Sequence, residues 1–195
     1  MTRGYDRLPT VPDHNMGLVQ EVELDLTGPV DIRDPFVRAE LDLPELDPAR
    51  LTVSAELVNA SSATVRGVLQ GEVIDPDGAV VASFSRPTVL LSHETRLITI
   101  TPTDAPELSL SAPRLWWPNT YGDQPLYGLR LRFAPEGGTT TEASTGFGIR
   151  RLDRELHELD DAHGLRLYVN GQRIFQRGGY IQPEMTFEWS AERVE

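Results

Sequence analysis

Glu184 closes the run Gly178-Gly179-Tyr180-Ile181-Gln182-Pro183-Glu184, where a small-residue turn meets the end of a predicted strand. Carboxylates at such strand ends contact ligands in open and barrel α/β domains. A single carboxylate is not a glycosidase, because that chemistry needs an acid paired with a nucleophile or base across the scissile bond. No second member of a pair stands out in this chain, so Glu184 reads equally as a ligand contact or a surface residue. Trp116 and Trp117 form the other conspicuous feature, set between Pro113 and Pro118. In an extended segment their side chains point opposite ways, so the pair can anchor two surfaces at once. Stacking on a sugar's C–H face is one use for them. Capping a core or packing against a neighbouring domain is the commoner use of large aromatics, and is the reading preferred here.

Other chemistry finds little support. His14, His93, His157 and His163 match no metal-binding spacing. Asp153, Glu155, Glu158, Asp160 and Asp161 alternate with Arg151, Arg154 and His157, without the glycine-centred spacing of a calcium loop. They read as a solvated, charge-laced edge strand running into a turn, which also discourages edge-to-edge pairing. Neither Gly137-Gly138 nor Gly178-Gly179 is followed by the Gly-Lys-Ser/Thr of a phosphate loop, and no Ser-His-Asp order suggests itself. No metal and no cofactor is expected.

Composition narrows the class. The apolar fraction is 39% over 195 residues, enough for one sizeable core plus a further piece. A formal charge of −12 with no lysine opposes a nucleic-acid backbone. No apolar run is long enough for a membrane span. A soluble module is expected, from a parent that is either cytoplasmic or secreted. Without cysteine there are no disulfides and no thiolate sites.

The elements that must position these residues are short strands. Apolar residues alternate at Leu18–Leu26, Val37–Leu43, Leu51–Leu57, Val65–Val73, Val80–Phe84, Thr95–Thr101 (with Leu97 in phase) and Leu126–Phe133. Turns separate them, most clearly at Asp75-Pro76-Asp77-Gly78 and Pro135-Glu136-Gly137-Gly138. No convincing helix precedes residue 150, and crossover helices have no room. An all-β, immunoglobulin-like antiparallel sandwich is therefore expected, with a barrel of similar strand spacing as the alternative, since periodicity does not give connectivity. A strand-like run at Phe147-Gly148-Ile149-Arg150 leads to Leu167-Tyr168-Val169, an Asn170-Gly171 turn and Ile174-Phe175, which together signal a hairpin. What Gly178-Gly179 opens stops within about twenty residues, so the chain is expected to be a piece of a larger protein.

At these residues the chain resembles glycoside hydrolase family 2, in the branch of exo-β-D-glucosaminidases and β-mannosidases. Asn15-Met16-Gly17-Leu18-Val19-Gln20-Glu21-Val22 resembles the exit from that family's N-terminal jelly roll. Thr27-Gly28-Pro29-Val30 with Ile32-Arg33-Asp34-Pro35 resembles the start of its first immunoglobulin-like sandwich. Leu115-Trp116-Trp117-Pro118-Asn119 with Gln124-Pro125-Leu126-Tyr127 is close to its Leu-Trp-Trp-Pro … Gln-Pro-Leu-Tyr stretch. Phe147-Gly148-Ile149-Arg150, Val169-Asn170-Gly171 and Arg177-Gly178-Gly179 resemble the linker into the catalytic (β/α)8 barrel and its first strand.

The resemblance implies a jelly-roll tail at 1–20, a sandwich at 21–150, and the linker, hairpin and first barrel elements at 151–195. It places the catalytic glutamates beyond Glu195, so no catalytic residue is expected here and the chain alone should be inactive. Its parent would be an enzyme acting on O-glycosyl bonds. Tyr180 and Glu184 align with a Trp and an Asp that line the sugar subsite in mannosidase-like members; the family's Asn is missing. A longer carboxylate could meet an amino sugar's ammonium. The implied partners are a carbohydrate substrate of the parent and its jelly-roll and barrel domains, with neither nucleic acid nor membrane. The alternative is a carbohydrate-binding sandwich using Trp116 and Trp117. An adhesion or scaffold domain is a third class. Leu115, Trp116, Trp117, Phe175, Tyr180, Met185, Phe187 and Trp189 are expected to form an apolar surface made for interdomain packing. The segment from about 178 onward is expected to be poorly ordered or held by a neighbouring copy.

Overall fold

The computed structural model describes Val22, residues 27–159 and residues 162–178, with the side chains of 157–159, 162 and 163 left aside. The chain divides into two compact units, Leu26–Phe175 and a second made of Met1–Asp25 with Gln176–Glu195. The architecture below is that of Leu26–Phe175. The Leu18–Leu26 run, apart from Val22, and the expectations for Tyr180, Glu184, Met185, Phe187 and Trp189 lie outside the described residues.

Three antiparallel sheets make up this unit. The first has β1 (Val30–Glu40), β2 (Ala49–Asn59) and β5 (Thr95–Ile100) side by side, with the short β6 (Ser109–Leu110) pairing the start of β2. The second is ordered β4 (Val80–Leu90), β3 (Val65–Ile74), β7 (Tyr127–Pro135) and β8 (Thr141–Phe147). The chain crosses between these two sheets after β2, after β4 and after β6, as in an immunoglobulin-like sandwich. The third sheet is a hairpin with one added strand: β9 (Leu152–Leu159), β10 (Ala162–Val169) and β11 (Gln172–Ile174), ordered β11-β10-β9. A 3-10 turn at Pro106–Leu108 precedes β6, and no closed barrel is present among the described residues.

The core follows from alternation. Ala49, Leu51, Val53, Ala55 and Leu57 of β2 are all buried, each separated from the next by a partly exposed residue. They meet Leu69 and Val73 of β3 and Leu129, Leu131 and Phe133 of β7 in a single apolar cluster, so two inner faces share one core. At the end of β2, Asn59 is buried at 1% exposure and fully bonded. Its Nδ2 donates to the carbonyls of Ala63 and Leu91 at 2.7 and 2.8 Å, and its Oδ1 accepts from Ser61 N at 3.0 Å. One side chain thus ties together two connections that cross between the sheets. At the other β-turn, Asp75 Oδ1 accepts from the backbone N–H groups of Asp77 and Ala79, which closes the β3–β4 hairpin.

Two expectations need correction. In β5 the apolar phase is Ile98 and Ile100, both buried, while Leu97 points out at 65% exposure. Threonines at 95, 99 and 101 fit either face of an edge strand, so composition did not fix the phase. The strand before the hairpin is Thr141–Phe147 rather than the Phe147–Arg150 run. Its inward positions are small or polar (Thr141, Ala143, Thr145), which hides the alternation.

Candidate functional site

Among the described residues, those singled out by type gather where the sandwich meets the hairpin. Leaving β8, the segment Gly148-Ile149-Arg150-Arg151 runs beside Leu115-Trp116. Leu115 and Ile149 form a parallel bridge, and Trp116 N–H donates to the Ile149 carbonyl at 2.9 Å. Ile149 is fully buried and joins the sandwich core. Gly148 lets the Trp116 ring lie against the backbone, since a Cβ there would meet the indole at 3.0 Å. Arg150 covers the ring from another side, its guanidinium carbon 4.6 Å from the centroid. Trp117 is held separately, its ring packed on Gly122 and its backbone N–H donating to the Asp123 carbonyl.

Both indoles are thus half-buried, each in its own packing contact, and they share no ring contact among the described residues. No Trp116–Trp117 ring pair that would support a sugar-stacking platform is seen among the described residues. Adjacent residues in an extended chain point apart, and here each has found a glycine to lie on.

Asn170 is the residue that sequence reasoning undervalued. It sits at φ 51° in the turn between β10 and β11, followed by Gly171 at φ 78°, the left-handed pair a two-residue hairpin turn requires. Its side chain turns back to the sandwich. Nδ2 donates to the Trp116 carbonyl at 3.1 Å, and Oδ1 accepts from Arg151 N–H at 2.9 Å. Its own N–H donates to the Arg151 carbonyl at 2.9 Å. The residue is 6% exposed. Arg151 extends the junction: its guanidinium donates to the Leu41 carbonyl at 2.7 Å and grips Asp153 with two hydrogen bonds. That pairing holds the Arg151 guanidinium more firmly protonated than usual. The Asn-Gly dipeptide signalled the turn, but nothing local pointed to Trp116, far away along the chain.

The hairpin itself has two unlike faces. Cross-strand register places Leu152 opposite Val169, Arg154 opposite Leu167 and Leu156 opposite Leu165 on one face. Leu152, Leu156 and Leu165 are 63%, 74% and 52% exposed. On the other face Tyr168 donates to Glu155 Oε2 at 2.7 Å, and Arg166 lies 3.6 Å from the same carboxylate. The hydrogen bond to Glu155 raises the Tyr168 pKa. Of the charge-laced edge strand expected at 153–161, the described part is present as β9, which pairs β10 alone among the described strands.

A groove of about 800 Å³ runs between β1 and the Gly146–Asp153 segment. Its carboxylates Glu40, Asp42 and Asp153 are ion-paired with Arg38, Arg50 and Arg151 at 2.9, 2.7 and 2.8 Å. Arg50, through its hydrogen bonds, holds the Asp42 carboxyl below the usual range. Glycoside hydrolysis needs one carboxylic acid kept protonated near neutrality beside an ionised partner. In the groove each of these carboxylates is instead held in an ion pair with an arginine. Among the described residues no cluster of His, Asp or Glu could hold a metal ion, and no helix is long and apolar enough to cross a membrane.

This architecture has relatives. The Glycosyl hydrolases family 2 profile matches residues 30–150. The chain is 39% identical over 197 aligned positions to the exo-beta-D-glucosaminidase of Streptomyces avermitilis, covering 100% of this chain and 21% of that protein. It is 33% identical to the mannosylglycoprotein endo-beta-mannosidase of Lilium longiflorum, covering 90% of this chain and 18% of the relative. The crystal structure of the Amycolatopsis orientalis exo-chitosanase superposes with a TM-score of 0.65 at 27% identity, over 83% of this chain and 17% of that one. The chain thus spans about a fifth of the length of the curated relatives it matches. With the matching profile lying across the sandwich described above, the chain belongs to glycosyl hydrolase family 2.

Proposed function

We propose that this chain is a non-catalytic immunoglobulin-like module, with flanks, of a family 2 β-glycoside hydrolase of exo-β-D-glucosaminidase or β-mannosidase type. Its task is to hold neighbouring domains in register. The observation that carries this reading is the hairpin: a leucine face with no second layer among the described residues, fastened to a packed sandwich through Asn170 and Arg151. Apolar faces of that kind serve contact between domains. In this reading residues 1–20 end a jelly roll, 21–150 form the sandwich, and 151–195 lead into the catalytic barrel. The paired carboxylates of the groove support a structural role for it.

The parent's substrate would be a β-linked amino sugar or mannoside, cleaved by a two-carboxylate retaining mechanism with both glutamates beyond residue 195. Tyr180 and Glu184 would contact the sugar in the parent. Relatives named as glucosaminidases and mannosidases support this substrate range. The test is to incubate the chain with aryl β-glucosaminide and aryl β-mannoside. No turnover above buffer is expected; protein-dependent turnover of either would overturn the assignment. In the parent, Leu156→Glu with Leu165→Glu should lower activity and melting temperature together, whereas a parent indifferent to both changes would show that the face contacts nothing.

A further inference from the structure

We propose that Asn170–Gly171 is a self-modification site, a latch whose own chemistry the fold holds inert and whose deamidation releases the hairpin irreversibly. An asparagine followed by glycine is the sequence most open to intramolecular attack, because glycine has no side chain to obstruct its backbone nitrogen. Gly171 N attacks the Asn170 side-chain carbonyl carbon, the C–Nδ2 bond breaks, and ammonia leaves with the proton from Gly171. The five-membered succinimide then takes up solvent water at either carbonyl. The net change is amide plus water to carboxylic acid plus ammonia, as aspartate or isoaspartate. No oxidant or enzyme is needed.

The fold opposes the first step. The attack requires the side-chain carbonyl carbon to swing over the following peptide. In the structure both ends of that amide are pinned, Oδ1 by Arg151 N–H and Nδ2 by the Trp116 carbonyl. The backbone is pinned as well, through Asn170 N–H to the Arg151 carbonyl. At 6% exposure, little water reaches the leaving amide. The reaction must therefore wait for the junction to open locally.

The products cannot re-form the latch. Aspartate lacks the donor that meets the Trp116 carbonyl and brings a carboxylate against it, leaving a buried acceptor unpaired. Isoaspartate lengthens the main chain by one carbon inside a turn that joins Val169 to Gln172 directly across the hairpin. Opening thus becomes one-way.

Arg166 and Arg173 bracket the site, so trypsin releases it on a short peptide for mass analysis. The full chain would be incubated at mildly alkaline pH, folded and in urea, and the fraction of aspartate plus isoaspartate at 170 followed. The folded chain is expected to react at least about tenfold more slowly, equivalent to an opening cost of ~1.4 kcal/mol or more. Arg151→Ala, which removes the guanidinium's hold on Leu41 and Asp153, should react at a rate between the two. Asn170→Asp should speed hydrogen exchange across Leu152–Ile174 while leaving β2 and β7 unchanged. A folded rate less than about tenfold below the unfolded one overturns the protection. Unchanged hairpin exchange in Asn170→Asp overturns the latch.

Discussion

β2 and β10 are alike in pairing and unlike in fate. Each is flanked by an antiparallel neighbour on both edges, β2 by β1 and β5, and β10 by β9 and β11. Each places apolar residues on every second position of one face. In β2 that face meets β3 and β7, and Leu51 and Leu57 are 0% exposed. In β10 burial fades with distance from the junction, from Val169 at 6% to Leu165 at 52%. Alternation sets which side chains share a face, and only a second layer decides whether that face leaves water. The sandwich brings its own second layer; among the described residues the hairpin has none.

The sharpest test of that contrast lies in the sandwich. Leu131 is fully buried beneath the opposing sheet. Leu131→Ala should cost about 2–5 kcal/mol, from lost burial and the cavity left behind. Urea unfolding followed by tryptophan fluorescence would measure it. A loss under about 1 kcal/mol would mean that this core collapses around the void, and that its packing differs less from the hairpin's than burial implies. Next in size is Asn59→Ala, which strips donors from the Ala63 and Leu91 carbonyls where the chain changes sheet. A cost of about 2–3 kcal/mol is expected for those abandoned buried groups. Amide exchange should rise first at residues 60–64 and 91–94.

How far the sequence anticipated this division can be argued residue by residue. β2 and β7 were legible because large apolar residues alternate there almost without interruption, whereas a bulge between Arg33 and Phe36 shifts the phase of β1, and glycines fill two inner positions of β3. The Asn170-Gly171 turn was legible because few other pairs accept two left-handed residues in succession. β8 was not, since Thr141, Ala143 and Thr145 fill the inner face with residues that also suit loops. β5 was read out of phase because an edge strand tolerates Leu97 facing water. The junction was the least legible. Its bonds link Trp116 to Asn170 and Leu41 to Arg151, and contacts between segments so far apart leave no mark on local periodicity.

Acid should erode the sandwich's loop contacts, as a smaller effect than either substitution above. Glu94 is held below its ordinary pKa by the Leu91 N–H and then Arg96, Asp104 by Thr101, and Asp42 by Arg50. A carboxyl whose folded pKa lies below its unfolded one stabilises the fold at pH above the unfolded value. That contribution is lost as pH falls through the folded pKa, so the melting temperature should drop below about pH 4 and stay level above about pH 6. All three groups are solvent-screened, which keeps the effect modest. A melting temperature unchanged down to pH 3 would show that these pairs contribute nothing.

The smallest expected effect is the one that bears most directly on the comparison. Leu156 and Leu165 face each other across the hairpin, both more than half exposed. Replacing them together, Leu156→Ser with Leu165→Ser, removes apolar surface that in this chain touches mostly water. Stability should change by no more than ~0.5 kcal/mol, the range of ordinary surface substitutions. Binding of an apolar dye should fall, because the removed groups are the exposed ones. A loss as large as that of Leu131→Ala would mean that the face is already covered in solution. β10 would then be a second β2, with a layer of its own. A neutral result with reduced dye binding places the leucines as a surface awaiting its partner, and separates the two alternating strands by the layer each one lacks or has.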